Sequence, residues 1–276
     1  MQSAHTAQWT DRMGRLIAIS ALIWSLAGGA VNSVQAFTEL GPNTKSDFRL
    51  WAPMYLTVSL PSKFIAYMEV NPRIGDDVTT IDQLLLRPAL GYQLTDNLSI
   101  WQGYAWVGYF NQPHISPQTP FFEENRIYQQ VNYKHKFSHV KFLSRTRLEE
   151  RWIEHADGTA VRFRQMLRAD FPIPQAPDWA FVVYDEIFIN VNTVGVPTGK
   201  GPGAGIDQNR FFLGINKSFN QYFNVDMGYQ NQMLNSRNLP GNANLINHIF
   251  LLQFGRDGEV SCRCRGGVTG APAAGR

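Results

Sequence analysis

Six arginines and one glutamate recur at or near a spacing of two along two neighbouring stretches: Arg145, Arg147, Glu149 and Arg151, then Arg162 and Arg164 with Arg168 beyond. A guanidinium is always charged and presents a planar fork that matches a carboxylate or phosphate in bidentate fashion. Such an array can hold an anion, or it can be neutralised by carboxylates of its own chain. In a β-strand alternate side chains share a face, so these charges project one way from a two-stranded hairpin. The opposite face reads Val140, Phe142, Leu148, Trp152, Val161, Phe163 and Leu167. A soluble sheet turns its apolar face inward and its charge to water. A transmembrane barrel does the reverse, with apolar side chains to lipid and polar ones to the lumen.

Period-two alternation with β-branched and aromatic enrichment gives strand candidates at about 46–60, 63–73, 81–94, 97–110, 123–136, 139–152, 160–171, 179–191, 207–218, 221–233 and 245–254. Each is roughly as long as a tilted membrane strand, ~9–11 residues or more. Short and long connections nearly alternate. Pro61-Ser62, Thr95-Asp96, Phe137-Ser138 and Phe219-Asn220 are short, and 111–122, 192–206 and 234–244 are long. The stretch 74–80 is longer than a tight turn, and 153–159 and 172–178 are intermediate. Tight periplasmic turns and longer outer loops have this pattern. The expected fold is therefore all-β, a transmembrane antiparallel up-and-down β-barrel. Eleven candidates is an odd number, and bacterial barrels are even. A further crossing by Phe37 to Ser46, as an extra strand or a segment threaded through the lumen, makes about twelve strands, with ten as the fallback. Pro53 and Pro88 fall inside candidates, where a missing N–H weakens a ladder.

The face shared with the arginine ladder can be followed in register. It carries Glu124, Arg126, Gln130, Asn132 and Lys134, then the ladder and Asp170. Tyr184, Glu186 and Asn190 follow, then Gln208, Arg210 and Asn216, then Asn224, Asp226 and Gln230. Glu69, Arg73, Gln83 and Arg87 fit the same side. Pairing across the 153–159 loop sets Arg151 opposite Arg162, Glu149 opposite Arg164 and Arg145 opposite Arg168. Like charges opposite one another are unfavourable unless carboxylates arrive from elsewhere, and Glu186, Glu124 and Asp226 are available. The expected lumenal network is Arg126, Arg145, Arg147, Glu149, Arg151, Arg162, Arg164, Arg168, Glu186, Arg210 and Asp226. It either fills a narrow barrel or lines a small pore that passes anions.

The ends differ from the body. Arg12 and Arg15 precede the apolar run Leu16 to Ala27, and Val34-Gln35-Ala36 offers small or apolar residues at −3 and −1. This predicts a signal peptide over residues 1–36, with Met13 as an alternative start. The competing reading, an uncleaved anchor, needs a run of ~20 residues. Of 25 basic and 22 acidic residues, 2 and 1 lie in the leader and 4 and 2 follow Phe254. The span 37–254 is thus 19 against 19 and neutral, so no basic surface predicts nucleic-acid binding. Cys262 and Cys264 both lie in a Gly/Arg/Ala-rich tail over 255–276, expected to be disordered or aberrant. A body without cysteine suits an oxidising compartment, and the tail has no His to complete a zinc site. No cofactor is expected.

Aromatics recur near strand ends: Trp51, Tyr104, Trp106, Tyr109, Phe121, Phe122, Trp152, Trp179, Tyr184, Tyr222, Phe223 and Tyr229. Interfacial girdles account for them, and a lumenal Trp stacking on a sugar is the alternative. A lipid hydrolase would need a Ser and a His within hydrogen-bond reach. The candidate histidines are His114, His135, His139, His155 and His248. Ser138 and His139 are adjacent, but strand neighbours point to opposite faces. Asp76-Asp77 match a rim aspartyl protease by residue type only. The glycine-rich stretch Val196 to Gly205 lacks the GK[ST] ending of a phosphate loop and reads as an outer loop.

Ser144-Arg145-x-Arg147-Leu148-Glu149-Glu150-Arg151, Arg162-x-Arg164-x-x-Leu167-Arg168, Glu186-Ile187-Phe188-x-Asn190, Gln208-Asn209-Arg210-x-x-x-Gly214 and Gly228-Tyr229-x-Asn231-Gln232 occur in this order. In combination the chain resembles a bacterial outer-membrane family designated domain of unknown function 2490, over about residues 44–254. The resemblance implies an outer-membrane barrel and no particular activity; the tail departs from it. The expected function is a narrow solute pore or a closed structural barrel with an Arg/carboxylate lumen, the alternative being a membrane-embedded lipid hydrolase. Expected partners are outer-membrane lipid, the barrel-assembly machinery during biogenesis and a small anionic solute.

Overall fold

The computed structural model describes residues 44–110, 121–196, 201–235 and 244–256. The predicted leader, its extension to residue 43 and residues 257–276 of the tail lie outside the described residues. The strands are β1 (Lys45–Trp51), β2 (Met54–Ser59), β3 (Phe64–Gly75), β4 (Thr80–Gln93), β5 (Leu98–Phe110), β6 (Phe121–Lys136), β7 (Lys141–Ile153), β8 (Ala160–Ile173), β9 (Ala176–Asn190), β10 (Gly205–Asn220), β11 (Phe223–Leu234) and β12 (Leu245–Arg256). They form one closed sheet in which each strand from β2 to β12 pairs with its sequence neighbour in antiparallel fashion. No helix among the described residues is long and apolar enough to cross a membrane.

The twelve strands make eleven staves. β1 and β2 both run parallel to β12 in one register, Lys45 opposite Leu245, Trp51 opposite Leu251 and Met54 opposite Phe254. They also share one antiparallel register with β3, Trp51 opposite Arg73 and Met54 opposite Val70. Only Ala52-Pro53 separates them. Pro53 has no N–H to give, but its carbonyl accepts from Phe254 N at 2.8 Å, and Ala52 N donates to Pro72 O at 3.1 Å. Among the described residues the count is eleven staves, close to the expected twelve; most of the further crossing expected over Phe37 to Ser46 lies outside the described residues. Among the described residues a parallel seam between the first and last staves closes an odd-numbered barrel. Pro88 is accommodated in β4, paired with Met68 of β3, while the β4–β5 ladder breaks between Leu86 and Ala89.

Connections sort onto two ends. One end has Leu60 to Lys63, 94–97, 137–140, 174–175 and 221–222, and the other has 76–79, 111–120, 154–159, 191–204 and 235–244. The 172–178 connection, expected to be of intermediate length, is a two-residue turn, so the alternation is stricter than the sequence indicated.

The exterior is apolar. Leu90, Ile100, Ile127, Val131, Leu148, Phe181, Leu213 and Phe250 are exposed, while Arg126, Arg147, Arg151, Arg162 and Arg164 are buried in the lumen. This inverts the soluble pattern and suits a sheet with lipid outside. Part of the lumen is filled by rings laid flat over glycines. A Cβ on Gly103 would sit 2.1 Å from Tyr128 Cζ, and one on Gly255 would sit 1.9 Å from Tyr55 Cζ. The missing side chains make room for the rings of neighbouring staves. Gly103→Ala should therefore lower unfolding stability by about 1–3 kcal/mol through overpacking, read as an earlier urea transition in lipid vesicles. An unchanged transition would show that Tyr128 is free to swing aside.

Candidate functional site

The register between β7 and β8 decides which charges meet. Arg147 lies opposite Arg164, Glu149 opposite Arg162, Arg151 opposite Ala160 and Arg145 opposite Met166. The sequence pairing was offset by two residues. A slip of two keeps every side chain on its face, so alternation cannot detect it; the turn sets it. Ala156 N donates to Ile153 O at 3.0 Å, Gly158 N to Ala156 O at 3.0 Å, and Gly158 takes φ +112°. This tightening draws β8 back along β7.

The observed register gives the like-charged guanidinium groups shared carboxylates. Glu149, 1% exposed, accepts from Arg162 Nε and Nη2 at 3.0 and 2.7 Å, from Arg164 Nη1 at 2.5 Å and from Arg147 Nη1 at 3.4 Å. Glu186 accepts from Arg164 Nη2 at 2.8 Å and Arg145 Nη2 at 3.0 Å. Glu124 takes the forks of Arg126 (2.8 and 2.9 Å) and Arg151 (2.5 and 3.2 Å), and the Tyr109 hydroxyl at 2.9 Å. Asp226 takes Arg168 at 2.6 and 3.2 Å, and Arg168 Nε also donates to Asp170 at 2.7 Å. Arg87 pairs with Glu69 at 3.2 Å, and Arg49 with Asp47 at 2.7 Å and with Asp82.

Rings complete the solvation. Phe188, fully buried, has the guanidinium carbons of Arg164, Arg210 and Arg162 at 4.4, 4.6 and 5.2 Å from its centroid. Tyr128 carries Arg147 at 4.0 Å and Trp51 carries Arg73 at 3.7 Å. Such contacts give a cation an electrostatic partner where no carboxylate is in reach.

Above this layer, towards the end with the long connections, lies a cavity of about 220 Å³. Eight arginines line it (Arg49, Arg73, Arg87, Arg126, Arg151, Arg162, Arg164 and Arg210) against two acids, Glu124 and Asp207. Six of the eight are paired with carboxylates, and Arg73 and Arg210, which have none within ion-pair distance among the described residues, make its walls favour negative charge.

The sequence-predicted residues fall on one surface but not in one cluster. Arg145, Arg147, Glu149, Arg162, Arg164 and Glu186 interlock. Arg126 and Arg151 meet on Glu124, whereas Arg168 and Asp226 form a separate pair. Arg210 has no carboxylate within ion-pair distance among the described residues; it lies over Trp51 and Phe188. Sequence reasoning missed Arg49, Trp51, Asp82 and Phe188 as lumenal. Trp51, assigned to the interfacial girdle, is only 3% exposed and turns inward. Its parity with Arg49 was the available signal. Tyr109 also points inward, to Glu124.

The hydrolase candidates are dispersed. Ser138 and His139 are exposed at a tight turn. His248, on the outer face, has its Nδ1 2.7 Å from the Tyr229 hydroxyl. His135 contacts Asn97, and His155 lies in the β7–β8 connection beside Glu154. Asp76 and Asp77 sit at the β3–β4 turn, where their backbone N–H groups donate to Asp47. His114 lies outside the described residues. No His–Ser hydrogen bond is present among the described residues.

Residues 48–242 match the model of a family described as a protein of unknown function, DUF2490. The chain belongs to this family. A relative, an uncharacterized protein of Methylorubrum extorquens, is 36% identical over 191 residues, covering 67% of this chain and 78% of its own. Among solved structures, the NanC porin aligns with a TM-score of 0.44 at 11% identity, over 72% of this chain and 93% of its own. A bacterial polysaccharide outer membrane secretin aligns at 0.35 and 9%, over 71% and 76%.

Glu149→Gln should destabilise the barrel by about 3–5 kcal/mol, because several buried guanidinium groups lose the charge they share. Glu154→Gln, at an exposed connection, should cost less than ~1 kcal/mol. Paired urea titrations in lipid vesicles read both. Equal, small effects would mean that water rather than Glu149 solvates these arginines.

Proposed function

We propose that this family member is an outer-membrane barrel that admits small anions at its long-loop end, with the Glu124–Glu149–Glu186 layer as its constriction. The observation that carries the reading is the cavity lined by eight arginines and two acids. Strands of 12–16 residues in β3 to β12 and the apolar exterior support a membrane setting. Segregated tight and long connections support tight turns in the periplasm and long loops outside. On this reading the leader exports the chain, the barrel-assembly machinery inserts it and outer-membrane lipid surrounds it. The constriction selects by charge. An entering anion exchanges its water for the guanidinium groups at the mouth that no carboxylate occupies, whereas a cation meets unfavourable potential there.

A closed structural barrel is the second reading, favoured by the ion pairs that fill the layer beneath the cavity. Planar-bilayer recording on protein purified from outer membranes separates the two. The pore reading expects discrete steps, a reversal potential on the anion side in a KCl gradient, and weaker anion preference in Arg210→Gln. A folded barrel that stays silent would reject the pore and leave the closed barrel.

A further inference from the structure

We infer that Arg73, Arg210 and Trp51 form a binding site for a small dianionic oxyacid in the cavity at the long-loop end. The inference deepens the proposed anion entry and rests on that cavity being open to solvent.

The other arginines around the cavity already have carboxylates: Arg49 has Asp47 and Asp82, Arg87 has Glu69, Arg126 and Arg151 have Glu124, and Arg162 and Arg164 have Glu149. Arg73 and Arg210 have none within ion-pair distance among the described residues. Arg73, on the stave beside Trp51, lies with its guanidinium carbon 3.7 Å from the indole centroid. Arg210 comes from β10, on the other side of the seam, and lies 4.9 Å from the same ring. Two cations thus share one indole.

Their hydrogen bonding is incomplete. Arg73 donates through Nη1 to Gln83 at 2.8 Å. The Nε of Arg73, the Nε of Arg210 and the Nε1 of Trp51 are buried donors without an acceptor among the described residues. Arg73 and Trp51 are 6% and 3% exposed. All three residues line the cavity. Buried donors of this kind are costly to leave unmet, and two adjacent unpaired cations repel each other. A doubly charged oxyanion relieves both: each guanidinium offers an N–H edge, and the indole N–H adds a neutral donor. A single carboxylate would neutralise only one of the two cations. The volume of about 220 Å³ admits an anion the size of phosphate or a four-carbon dicarboxylate and excludes a polymer from the site itself.

The test is calorimetric titration of the barrel purified from outer membranes, with inorganic phosphate and succinate as separate probes and acetate as the monoanion. Folding of every variant is checked by gel mobility without boiling. The expected result is saturable binding of phosphate or succinate, with acetate weaker. Arg73→Gln and Arg210→Gln should each weaken binding roughly tenfold or more, the loss of one charge-assisted contact. Arg210→Lys, which keeps the charge but loses the fork, should weaken it less than Arg210→Gln. Lys217→Gln, which removes a positive charge towards the tight-turn end, should leave it unchanged. Phosphate preference assigns the site to phosphate-type solutes, and succinate preference to dicarboxylates. The inference is overturned if neither dianion saturates the folded barrel, if acetate binds as tightly, or if Lys217→Gln weakens binding as much as Arg210→Gln. Binding without conductance would retain this site and reject the pore, whereas conductance without saturable binding would do the opposite.

Discussion

A guanidinium cannot give up its proton, so each arginine turned into a narrow lumen must find a carboxylate, a ring or water. This requirement organises the interior. Glu124, Glu149 and Glu186 are each placed between arginines of neighbouring staves, so one acid serves two or three bases. The ion pairs tie β6 to β7, β7 to β8 and β8 to β9 across the same surface that the backbone ladders join. The aromatic residues of the lumen answer the same requirement where acids are too few. Phe188 and Trp51 provide faces rather than charges, and of the arginines over them Arg73 and Arg210 have no carboxylate within ion-pair distance among the described residues.

That division gives the lumen two kinds of arginine. Those held by buried carboxylates are fixed in length and direction and behave as wall. Those held by rings keep N–H groups to spare and behave as contacts. The first kind is concentrated on β6 to β8, with Arg49 on β1 and Arg87 on β4 besides, and the second lies on β3 and β10. The asymmetry places an electropositive side wall next to the one parallel pairing in the sheet.

Much of the architecture was legible in the sequence because a barrel needs only two signals, period-two alternation and alternating connection length. Both survive errors of a residue or two at strand ends, so Arg126, Arg145, Arg147, Glu149, Arg151, Arg162, Arg164, Arg168, Glu186, Arg210 and Asp226 could be placed on one surface. Pair identities were not legible. Arg147 against Arg164 and Glu149 against Arg164 look alike to an alternation rule; a turn containing Gly158 in a left-handed conformation distinguishes them. Trp51 was misplaced because a tryptophan near a strand end is usually an interfacial residue, and Arg49, which shares its face two residues earlier, was not placed in the lumen either. The parallel seam was hidden for a different reason: nothing local records which strands meet when the sheet closes.

The seam also shapes how the chain reaches its native state. Every other pairing joins neighbours in sequence and can form soon after its turn. The seam joins residues 200 apart, Lys45 with Leu245 being typical. Bringing such distant segments together in a flexible chain costs about 3 kcal/mol more than closing a short hairpin. Assembly therefore has an inherent order, with a growing curved ribbon whose two free edges meet last. Until they do, β1 and β12 each present an unpaired ladder able to recruit a foreign strand. Translation puts the first edge outside the ribosome long before the last one exists, so the interval between them is one of exposure. A partner that shields the early edge, then yields it to β12, would act on the pairing with the greatest sequence separation in the sheet.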